Sequence, residues 1–129
     1  MAHSSTNTHP LRSTALHAGF AVLAMGGWAA FANRHHGTGA VLAAFLVQGA
    51  LSGMITVVMK RGLEAGHARL HGLAARLLPP LASCLLIVGL LTAVHAAAGT
   101  PEILRTIAVP WSVSTLYAFV YVASLERRP

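Results

Sequence analysis

Four apolar stretches, residues 14–32, 39–59, 81–98 and 103–125, carry one formal charge between them, Arg105. Crossing a hydrocarbon core takes about 20 residues at about 1.5 Å rise each, so every stretch has the length of one spanning helix. Such a chain has little choice of fold. In lipid each backbone amide must find its partner inside the protein, which a helix supplies and an open sheet edge does not. The expectation is an all-α integral membrane protein, with a polar tail at 1–11 and four transmembrane helices within 12–128. Only 9% of residues are charged and 55% are hydrophobic, whereas a soluble domain devotes about a quarter to charge. No stretch is left over for a separate soluble domain.

Positive charge orients the spans, because Lys and Arg of short loops stay on the cytoplasmic side. Arg12 precedes the first span, Lys60, Arg61, Arg69 and Arg76 separate the second from the third, and Arg127 and Arg128 follow the fourth. Both termini are thereby expected in the cytoplasm, in the plasma (inner) membrane. The pI of 11.2 is explained by this bias and by anionic lipid, so no nucleic-acid partner is inferred. Arg12, an apolar core and Ala30-Phe31-Ala32 imitate a signal peptide. The length of the apolar run favours an uncleaved span.

An offset of 62 aligns the first pair of spans with the second. Gly27 meets Gly89, Gly37-Thr38 meets Gly99-Thr100, Ser52 meets Ser114 and Leu63-Glu64 meets Leu125-Glu126. Read as a duplication, the chain is two helical hairpins of parallel topology related by an axis along the membrane normal. Thr38 and Thr100 are expected N-caps, with Pro101 and Glu102 in the first turn of the last helix. Between the pairs, 60–79 reads as a basic amphipathic cytoplasmic loop. In it Leu63, Leu70, Leu73 and Leu77 share a face, Arg61, Arg69 and Arg76 reach anionic headgroups, and Pro79-Pro80 ends the segment.

The second span carries polar residues where none are needed to cross a membrane. Gln48, Ser52 and Thr56 are spaced by four and stack on one helical face, with Gly49 and Gly53 beside them for close helix packing. The offset brings Ser114 to the matching place, flanked by Tyr117. These residues either pack helices or line a polar substrate path near the bilayer midplane. Glu64, Glu102 and Glu126 lie at or beyond span ends, which argues against proton antiport by this chain alone. Haem ligation is disfavoured because His17 and His95 differ in depth by roughly 15 Å. His35, His36 and His95 converge as weak zinc or copper candidates, and no metal or other cofactor is assigned. Arg105 is expected to snorkel, and Glu102 to cap the last helix.

No nucleophile with its base, phosphate loop or carboxylate pair is present, so catalysis is not expected. Two functions remain. One is a non-catalytic accessory or assembly subunit of a larger membrane complex. The other is a small transporter or lipid-carrier, flippase-like protein, oligomeric because four helices enclose little volume.

Overall fold

The computed structural model describes residues 9–128, and the side chains from residue 12 onward. Four helices follow one another: α1 (His9–Ala32), α2 (Thr38–Arg69), α3 (Gly72–Ala97) and α4 (Ile103–Leu125). All four are long and apolar enough to cross a membrane. Large apolar side chains cover the outside, among them Leu16, Phe20, Leu46, Leu85, Leu86 and Leu104. That surface suits hydrocarbon, not water. Part of the expected tail is helical, since α1 begins at His9; residues 1–8 lie outside the described residues.

Each helix packs most closely on its sequence neighbour within a pair, α1 on α2 and α3 on α4. The two pairs then join mainly through α2, which meets both α3 and α4, while α1 reaches α4. The core follows from the spacing of four along α2: Leu51, Ile55, Met59 and Leu63 turn inward together. They meet Ile87 and Leu91 of α3, and Ile107, Ala118 and Val122 of α4. On the opposite side of α2, small residues let α1 approach. A β-carbon on Gly49 would lie 3.2 Å from the Val22 carbonyl, and one on Gly53 would lie 2.9 Å from Val22 Cγ2. Gly26 seats α1 in the same way, its added β-carbon falling 2.9 Å from the Phe45 carbonyl.

The segment 60–79 differs from its reading as a loop. α2 runs on through Lys60 to Arg69, Leu70 and His71 form an extended turn, and α3 starts at Gly72 with φ +58°. Leu63 is buried in α2 whereas Leu73 and Leu77 are exposed on α3, so these leucines share no face. Pro79 and Pro80 stand inside α3 instead of ending a segment. Proline removes the amide that would bond to the carbonyl four residues earlier. Here the Ala75 carbonyl is taken instead by His67 Nδ1 at 3.2 Å, and Gly66 gives the Pro79 ring its space. Arg76, read as a headgroup ligand, pairs with Glu126 at 2.6 Å and ties α3 to the end of α4; Arg61 and Arg69 are exposed.

The turns opposite also depart from expectation. Gly37 and Gly99 both take positive φ, +86° and +69°, as turns after helix ends require. Neither Thr38 nor Thr100 caps a helix, because α2 has Gly37 at its N-cap and α4 has Glu102, each without a side-chain capping bond. Pro101 and Glu102 precede α4 instead of forming its first turn.

Candidate functional site

Polar side chains in an apolar bundle must satisfy one another, because an unpaired buried donor costs about 1–3 kcal/mol. Among the described residues no buried side-chain nitrogen or oxygen lacks a partner. Gln48 illustrates how. It is fully buried, its amide Nε2 donates to Ser52 Oγ at 2.8 Å, and its Oε1 meets His95 Nε2 at 2.7 Å. An amide oxygen only accepts, so this geometry puts the His95 proton on Nε2. Nδ1 hydrogen-bonds to the Thr100 hydroxyl at 2.8 Å. The His95 imidazole thereby joins α2, α3 and the turn before α4.

A second knot lies beside it. Asn33 Nδ2 donates to the Ala29 carbonyl and to Thr106 Oγ1, both at 2.8 Å, and Asn33 Oδ1 accepts from the Glu102 amide at 3.1 Å. Trp28 Nε1 adds a bond to the Arg105 carbonyl at 2.8 Å. The bonds to Thr106, Glu102 and Arg105 tie the end of α1 to the start of α4 at one end of the bundle. Glu102 turns its carboxylate to His36 at 3.0 Å, with Arg105 at 4.0 Å. The bond from His36 holds its pKa below the ordinary carboxylate value against desolvation, with a smaller contribution from the Arg105 charge. Glu102 thus bridges two turns and makes no side-chain cap.

His35, His36 and His95 do not come together. His36 faces Glu102, His35 is exposed and His95 is fully buried against Gln48. Among the described residues no group of three or more His, Cys, Asp or Glu is placed to hold a metal ion.

At the opposite end α1 and α4 part, leaving a cavity of about 580 Å³ bounded by α1, α2 and α4. That is within the roughly 300–1,000 Å³ of small-molecule sites. Ser52, Thr56, Ser114 and Tyr117 all line it, whereas Gln48 stays behind Ser52 as part of the knot that closes the bundle above. Its character changes along its length. Phe20, Met25, Ile55, Pro110 and Val113 make the deeper wall apolar, while His17, Lys60, Glu64, Tyr121 and Arg128 ring the other end. Ser52 and Glu64 are twelve residues apart on α2, so the cavity is about 18 Å long. Phe20 is 73% exposed and Val113 50% exposed, so the wall between α1 and α4 opens to the outside of the bundle.

Glu64 accepts a hydrogen bond from the Tyr121 hydroxyl, and Tyr121 stacks on Tyr117 with ring centroids 5.3 Å apart. The sequence reading placed Glu64 and Lys60 outside any site because they follow the second apolar run. The signal that could have found them was continued helical spacing: Ser52, Thr56, Lys60 and Glu64 each lie four residues apart. No family model matches this sequence, and neither a curated protein nor a solved structure matches it.

Proposed function

We propose that this chain is a multi-pass membrane protein that takes an amphiphilic small molecule into the cleft between α1 and α4, as a small transporter or lipid-carrier. One observation carries the reading. Four of the polar side chains that a spanning helix has no need of line a single cavity, apolar within, charged at its mouth and open along one side. A chain could slide sideways into such a cleft from lipid while its head stays among the charged groups. No catalytic step is assigned. The charged end, with Lys60, Arg61, Arg69, Arg127 and Arg128, faces the cytoplasm under the positive-inside rule. The protein is placed in the inner membrane, and an oligomer gives the cleft a second wall.

Ser114→Phe tests this reading, because the half-buried Ser114 faces the cavity and a benzyl group fills space there. In vesicles, the variant should insert normally and lose binding of a fluorescent single-chain amphiphile. Unchanged binding would remove the cavity from the account.

Accessory function in a larger complex is the second reading, favoured by a different face. Gly62 and Gly89 have open space where a β-carbon would stand, and Gly62 borders an apolar groove of about 290 Å³ with Met54, Val58, Leu86 and Leu90. Outward glycines permit close approach of another helix. A stoichiometric larger partner retained in mild detergent would support it; purification as the chain alone would count against it.

Duplication into parallel hairpins is part of the same proposal. It is supported by the matching left-handed glycines, Gly37 and Gly99, and by Asn33 and His95, which occupy equivalent positions and each bond to the other pair of helices.

A further inference from the structure

Resting on the cavity reading above, we infer that the amphiphile bears an anionic head, held by Lys60 and Arg128 at the charged mouth while its alkyl chain lies between α1 and α4. The mouth contains two permanent cations and one carboxylate. That carboxylate already has a donor, since Glu64 accepts from Tyr121. Neither Lys60 nor Arg128 forms an ion pair with a carboxylate among the described residues, although Glu64 is four residues from Lys60 on the same helix. The other acids are committed elsewhere, Glu102 to His36 and Glu126 to Arg76. Cations at the edge of an apolar cavity attract an anion more strongly than they would in open water, because the low-dielectric wall screens them less.

The hydroxyls complete the complementarity. Ser13 and Ser114 line the same cavity and can donate to carboxylate or phosphate oxygens, whereas the Thr56 hydroxyl already donates to the Ser52 carbonyl at 2.8 Å. His17, exposed at the rim, adds a further donor. A cationic head would instead have to share Glu64 with Tyr121 while sitting beside Lys60 and Arg128. A neutral head would leave both cations without a counter-charge.

Three matched single-chain probes, a carboxylate, an alcohol and a trimethylammonium, are titrated against the full chain in phosphatidylcholine vesicles, with protein-free vesicles as the partition control. The carboxylate should bind about tenfold more tightly than the alcohol, and the trimethylammonium most weakly. Lys60→Gln combined with Arg128→Gln should bring the ratio of carboxylate to alcohol affinity down to about one. Glu64→Gln should strengthen carboxylate binding, a gain that misfolding could not produce. Equal affinity for carboxylate and alcohol, or tightest binding of the trimethylammonium, would overturn the anionic assignment and leave the cavity reading standing. Failure of all three probes to bind above the vesicle control would overturn both.

Discussion

Replacing Gln48 by Leu should cost more than one average hydrogen bond between membrane helices. Such bonds average about 0.6 kcal/mol and reach about 1.7. The substitution does more than break the 2.7 Å bond to His95, because it leaves the Nε2 proton of a fully buried imidazole facing a methyl group. Stranding a buried donor costs about 1–3 kcal/mol. Ser52 also loses its amide partner, but it borders the cavity and can bond there to water or ligand. The expected loss is therefore roughly 1.5–3.5 kcal/mol. His95→Leu in the Gln48→Leu background removes the stranded proton, so the double variant should cost less than the sum of the two singles by about 1–2 kcal/mol. The cycle is measured by reversible unfolding in mixed micelles, followed by circular dichroism. Additivity within about 0.5 kcal/mol would show that the two side chains are not bonded and would refute the reasoning.

Two adjacent glycines separate packing from propensity. Gly26→Ala drives a β-carbon toward the Phe45 carbonyl and should destabilise by about 1–3 kcal/mol, whereas Gly27→Ala meets open space and should be neutral or stabilising by up to about 1 kcal/mol in the same assay. His67→Ala leaves the Ala75 carbonyl without a donor below Pro79 and should lower stability by about 1 kcal/mol; His67→Ala combined with Pro79→Ala, which restores the helical amide, should recover it. Because the Glu102 pKa is lower in the folded protein than its ordinary value of 4.5, its contribution is complete above that pH and is lost as pH falls through the lowered value. Glu102→Gln should flatten that acid limb in a pH series of unfolding midpoints, and an unchanged limb would remove the His36–Glu102 contact from the account.

The helices were legible because each apolar run is uninterrupted and ends near a glycine or a charge. The length of α2 was not, since helical hydrogen bonding continues past the last apolar residue wherever nothing breaks it. Pro79 pointed to a break only as long as His67 was not known to satisfy Ala75. In the site, the spacing of Ser52 and Thr56 and the matching place of Ser114 pointed to one face, and the structure brings them to one cavity with Tyr117. Gln48 shares that spacing but its longer side chain turns to His95. Which polar residues meet across helices depends on stagger, and stagger is set by contacts such as Gly26 on Phe45 that no single run encodes.

A photoreactive alkyl carboxylate, activated in vesicles containing the full chain and traced to the residues it labels, tests the cavity most directly. Occupancy of the cleft predicts adducts concentrated on Phe20, Met25, Val113 and Tyr117, competed away by unlabelled carboxylate. Adducts spread evenly over the outward leucines, such as Leu46, Leu85 and Leu104, and insensitive to competitor would contradict it.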